Sequence, residues 1–158
     1  MIIYNRKGDK LFEGDNLQGA ALVRADLQGA DLQKADLTRV ELYDAILHDA
    51  DLRGAILPPL AELLLADWGN LPADLTLECM RWDATICGLN AMDAWAKGGP
   101  CPFDVMGGTR LVNFKEAREL WQPGPPTLSM EELVERLCQA CGVRGYVGKE
   151  QKGDKNNG

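Results

Sequence analysis

Ala25-Asp26-Leu27-Gln28-Gly29, Ala30-Asp31-Leu32-Gln33-Lys34 and Ala35-Asp36-Leu37-Thr38-Arg39 follow one another without a gap. The same phase continues in both directions, giving ten five-residue units from Lys10 to Pro59. Their central positions are Phe12, Leu17, Leu22, Leu27, Leu32, Leu37, Leu42, Leu47, Leu52 and Leu57. Two residues before each centre stands Ala20, Ala25, Ala30, Ala35, Ala45, Ala50 or Ala55, with Lys10, Asp15 and Val40 as departures. A fixed internal period of this kind signals a repeat architecture. Helices place apolar residues every three or four positions and strands every second, so period five fits neither over fifty residues. The pair at i−2 and i does suit a short extended piece, whose alternate side chains point the same way. The other residues must turn the chain before the next pair. Four such sides close a square of twenty residues, with successive squares at the strand spacing of ~4.8 Å. Leucines would fill the interior, and alanines would lie where the wall is too close for anything larger.

These units resemble the pentapeptide-repeat family, whose motif is A-(D/N)-L-x-x. The three units quoted above and Ala50-Asp51-Leu52-Arg53-Gly54 match it fully. The resemblance implies a right-handed quadrilateral β-helix, here of about two and a half coils. It carries no catalytic residues with it. Known members of the family include DNA-mimicking proteins that protect gyrase.

Composition changes sharply after residue 57, because all eight Pro, four Trp and five Cys come later. We therefore expect three parts. Residues 1–59 form a hairpin cap and the repeat, 60–147 an α-helical domain, and 148–158 a disordered, Lys- and Asn-rich tail. Ile2-Ile3-Tyr4, Asn5 to Asp9 and Lys10 to Glu13 read as strand, turn and strand, covering the first coil. Pro58-Pro59 stop the ladder, since proline has no N–H for another rung. A short helix over Leu60–Trp68 is expected to lie across the open end. Further helices are expected over Asp74–Cys87, Asn90–Lys97, Asn113–Trp121 and Ser129–Cys141, the last with Gly142 at C′.

Net charge is −7. That disfavours direct binding to nucleic acid or anionic membrane. It suits either plain solubility or competition for a basic partner. No stretch is long and apolar enough to span a membrane, and Met1 to Arg6 lacks a signal-peptide core, so a cytoplasmic address is expected. An odd number of cysteines fits free thiols better than a disulfide framework.

Enzyme chemistry finds little support. His48 is the sole histidine, at an outward repeat position, so no ordinary triad can form. Cys138-Gln139-Ala140-Cys141 has C-x-x-C spacing, but Cys79, Cys87 and Cys101 do not complete a usual zinc set. No cofactor, metal or catalytic residue is expected. The surface is left as the functional element. Asp31 and Asp51 stack at coil spacing and could either mimic phosphates or serve as turn residues. Lys34, Arg39, Arg24 and Arg53 interrupt the acidic surface. Val23 and Tyr43 are outward apolar groups on one face, open to self-packing or to a partner. Ile46 and Ile56 replace the usual acid, and we expect the C-terminal helices to cover them. Trp95 and Phe103 flank a proline-fixed loop that suits a protein contact or a small core. The expected function is a non-enzymatic protein-binding scaffold of bacterial or phage origin, compatible with a homodimer. The alternative is an acidic DNA mimic that inhibits a topoisomerase or defence nuclease.

Overall fold

The computed structural model describes residues 1–20, 22–102 and 115–146. These divide into two compact units. One joins Met1–Trp68 to the chain from Met130 onward, and the other is Gly69–Ser129. The expected boundary at residue 59 is thus corrected: the last helix groups with the repeat rather than with the middle helices. Phe103, the Asn113-Phe114 helix start and the 148–158 tail lie outside the described residues.

In the first unit, β1 (Ile2–Tyr4) pairs antiparallel with β2 (Lys10–Glu13), and Ile3 lies opposite Phe12. The turn between them is closed by Asn5, whose Oδ1 accepts from the Lys7 and Asp9 amides, both at 2.9 Å. This is the local side-chain bonding that makes Asn a turn former. The hairpin is tied to the repeat where the Arg6 amide donates to the Gln28 carbonyl at 2.7 Å.

Among the described residues between Gly14 and Pro59, no strand of ordinary length forms. Instead, single residues twenty apart form parallel bridges: Asp26 with Ile46, Asp31 with Asp51, and Asp36 with Ile56. Flanking bonds such as Leu27 N to Ile46 O and Leu32 N to Asp51 O, both at 2.9 Å, hold each rung. Between rungs, each central residue from Leu17 to Leu52 accepts from the amide three positions on. That bond marks a β-turn, and its third position favours a positive φ in type II. Gly19, Gly29 and Gly54 take that position naturally, while Arg24, Lys34, Asp44 and Asp49 take it near φ 60°. All eight leucines from Leu17 to Leu52 are buried, each worth roughly 1.5–3 kcal/mol. Phe12 and Leu57, at the two ends, are only half-buried.

The far end closes differently from expectation. Helix α1 (Leu60–Leu64) stops before Trp68. Residues 65–67 instead add a rung: the Asp44 amide donates to Leu65 O and the Asp67 amide to Ala45 O, both at 2.9 Å. Ala66-Asp67-Trp68 reproduces the repeat triplet, with Ala66 and Trp68 buried as the alanine and leucine are elsewhere. A second segment closes the next side. Leu52 N donates to Arg144 O at 2.8 Å, and Arg144 N to Ala50 O at 3.0 Å. This segment is delivered by α4 (Met130–Ala140), which packs on α1 and buries Leu133, Val134 and Leu137. Gly142, at φ 69°, ends α4 as expected. The Val143 amide then reaches back to Cys138 O at 2.9 Å, the 6→1 bond of a Schellman end.

The second unit is helical. It holds α2 (Ala73–Cys87), α3 (Leu89–Ala96) and a 3-10 segment (Lys115–Leu120) interrupted at Ala117. Leu75, Cys79 and Met80 of α2, with Met92 and Trp95 of α3, form its core.

Candidate interaction surface

The acidic positions of the repeat are first of all turn residues. Asp26, Asp31, Asp36 and Asp51 each accept, through Oδ1, from the amide two residues on, at 3.0–3.2 Å. Asn16 does the same for Gln18. The side chain thereby satisfies an amide that the sharp turn leaves free.

Two of these acids, Asp26 and Asp51, also meet a base, as do Asp44 and Asp49 elsewhere in the repeat. Lys7 lies 3.2 Å from Asp26, Arg6 3.4 Å from Asp49, and Arg24 4.0 Å from Asp44. Asp51 is the most enclosed, 4% exposed, with Arg53 Nη2 at 2.6 Å and Arg144 Nη2 at 3.2 Å. The Arg53 hydrogen bonds outweigh burial and, with the Arg144 charge, hold its carboxyl down to about 2. Asp51 is therefore a joint between the repeat and its closing segment, which corrects its reading as an exposed partner contact. Asp31, on the neighbouring rung, stays exposed, with the Arg53 charge nearby.

A pH dependence follows. Because the folded pKa of Asp51 is depressed, its contribution is present above its ordinary value of 3.8 and lost as pH falls to about 2. Urea midpoints of the native chain and Asp51→Asn should differ by a constant amount above that range and converge below it. A difference that persists unchanged at the acid end would remove Asp51 from this role.

The apolar candidates separate. Arg24 N donates to Tyr43 O at 2.9 Å, so Val23 and Tyr43 occupy neighbouring rungs of one side. Val23 is 39% exposed and Tyr43 half-buried, beneath the added rung at Leu65. Ile46 is half-buried between Asp26 and Asp67. Ile56 is 59% exposed, so the expected cover by C-terminal helices does not reach it. No added rung pairs onto residues 55–57 among the described residues, so that side ends without a closing segment.

Trp95 is 1% exposed, in the core of the second unit, with the Arg118 guanidinium 5.2 Å from its ring centroid. It is a core residue and is corrected as a surface contact. His48 is half-buried, and its carbonyl accepts from Gly29. Burial pushes the Cys138 thiol up to about 12 and the Cys141 thiol to about 11, the chemistry of packed rather than reactive cysteines. Among the described residues, no group of three or more His, Cys, Asp and Glu is arranged to hold a metal ion. No helix there is long and apolar enough to cross a membrane.

Residues 20–57 match the family model described as pentapeptide repeats, in eight copies. This stretch of the chain is a run of pentapeptide repeats. No curated protein and no solved structure matches the chain. The pentapeptide model ends at residue 57, so it does not extend to the two closing segments. The first of them carried a readable signal in Ala66-Asp67-Trp68, displaced by one residue from the pentapeptide phase. The second carried none of comparable strength, and Arg144 was missed.

Proposed function

We propose that the pentapeptide array is a right-handed quadrilateral β-helix serving as a non-enzymatic, cytoplasmic protein-binding scaffold. Its contact surface is the side carrying Val23 and Tyr43. The observation that supports this most is the state of the acids. Asp26, Asp44, Asp49 and Asp51 each face a Lys or Arg, while Val23 on an adjoining rung remains open to solvent. Exposed ion pairs are worth little as adhesive, whereas an apolar group within a charged rim can anchor a partner. The acidic DNA mimic remains the alternative, with Asp31 as its exposed representative. It is disfavoured because bases cancel the charge that a phosphate ladder would need.

The test is capture of partners from host lysate at low and high salt, with competing duplex DNA in a parallel arm. A scaffold should keep its partner at high salt and lose it on Val23→Asp, with a smaller loss on Tyr43→Ala. Capture only at low salt, displaced by DNA and abolished by Asp31→Lys, would replace the scaffold by the mimic.

A further inference from the structure

The N-terminal hairpin presents a face that the scaffold reading leaves unused. Along β1, Ile3 is buried, so Ile2 and Tyr4 point the other way, out to solvent. They are 47% and 50% exposed. In the strand register Ile2 lies opposite Glu13, and Tyr4 lies opposite Lys10. Directly opposed residues of an antiparallel pair share a face, so these side chains form one outer tile. Lys10 Nζ lies 2.6 Å from Glu13 Oε2, and both side chains are more than half exposed. The tile thus carries apolar groups along β1, with a base and an acid along β2.

The hairpin is pinned at both ends. The Met1 ammonium donates to Gly14 O at 2.6 Å, and the Gly14 amide donates back to Met1 O at 3.0 Å. At the turn, the Asn5 amide donates to Asp9 O at 3.0 Å. A surface already ordered loses less entropy on docking.

The pattern of the tile is complementary to itself. A two-fold axis lying in the interface and running across the strands reverses strand direction, but keeps β1 against β1 and β2 against β2. Ile2 then meets Tyr4 of the second copy, and Lys10 meets Glu13 of the second copy. Symmetry makes each contact twice. The other in-plane axis, along the strands, would set Ile2 against an acid and Tyr4 against a base.

We propose that two copies of this chain associate face to face through their N-terminal hairpins, about the axis that runs across the strands. The patch is small, so the dimer is a weak one, with a dissociation constant on the order of 100 µM. The apolar contacts supply the attraction and the charges fix the orientation. This inference concerns the hairpin and does not depend on the scaffold reading.

Sedimentation equilibrium of the full chain from ~10 µM to ~1 mM tests it. The native chain should pass from monomer towards dimer across that range. Tyr4→Ser should weaken association roughly tenfold or more. Lys10→Glu sets acid against acid and Glu13→Lys sets base against base, so each should self-associate roughly tenfold more weakly. Glu13→Lys also makes the chain less negative than its native −7, which on net charge alone would favour association. Its weakening therefore reports the local contact. An equimolar mixture of the two charge variants should recover the native affinity as a mixed dimer. So should a single chain carrying both substitutions. The substituted side chains are exposed, and an exposed ion pair contributes little to folding, so the variants should keep the native circular dichroism. A chain that stays monomeric at ~1 mM would overturn the proposal. So would a dimer indifferent to Tyr4→Ser, or charge variants whose mixture associates no better than either alone.

Discussion

Leu32→Ala is expected to destabilise the repeat unit by roughly 2–5 kcal/mol. Leu32 is 1% exposed, and the rung at Asp51 is fixed to its own by the Leu32 N to Asp51 O and Asp51 N to Ala30 O bonds. The lost transfer energy is joined by a cavity term, because neighbouring rungs are fixed to each other by backbone hydrogen bonds and cannot collapse inward. Leu57→Ala provides the comparison. Leu57 is half-buried at the open end, so its truncation should cost much less. Urea unfolding monitored at Trp68, with the other tryptophans replaced by Phe, reads the first unit separately. A cost below about 0.5 kcal/mol for Leu32→Ala would contradict a leucine ladder as the core.

The second large effect lies in the helical unit. Glu78→Ala should cost about 3 kcal/mol, because it strands buried donors rather than merely deleting contacts. Glu78 is buried, and its carboxylate gathers the Thr127 amide and hydroxyl, the Leu128 amide and Arg81 into one cluster. Trp82 Nε1 donates to Leu128 O at 3.3 Å, so the same short segment is held from two successive turns on one face of α2. Glu78→Gln keeps the shape and one good acceptor, and should cost about half as much. Burial raises the Glu78 pKa, but the bonds from Thr127 and Leu128 with the Arg81 charge more than offset it, leaving the value below 4.5. The carboxylate's contribution is therefore present above that pH and disappears as acid protonates the folded form. Thermal midpoints of the native chain and Glu78→Gln should approach each other in acid. Widening of the gap there would reverse the sign and refute the assignment.

The repeat was legible because each unit must satisfy the same local demands. Leu27 and Leu32 need the interior, Ala30 and Ala35 need a close wall, and Asp26 and Asp31 need to serve the next turn. Identical demands leave a period, and a period can be read without coordinates. The closing rungs obey the same demands only in part. Trp68 fills the leucine place after a one-residue slip, and Gly145 stands where a side chain would collide with the Arg53 backbone. Their partners lie far away in sequence, so nothing local announces them. Asp51 illustrates the same limit. Its motif position marks it as a turn residue, but only the return of Arg144 encloses it. Trp95 was ambiguous for a different reason, since a tryptophan beside Gly and Pro serves a small core as well as a surface loop. Arg81 and Gln122 meet across forty-one residues, and no spacing rule connects them.

The second closing segment also fixes an order of events on the ribosome. Leu57 leaves the exit tunnel long before Arg144, by roughly 4–17 s at a synthesis rate of ~5–20 residues per second. Throughout that interval the amide of Leu52 and the carbonyl of Ala50 have no chain to meet. The nascent repeat thus carries a bare β-edge, the kind of surface to which chaperones bind and at which neighbouring nascent chains cross-pair. Polysomes translating this message are where its solubility is decided, and slowing elongation between codons 57 and 144 should lower the yield of native protein.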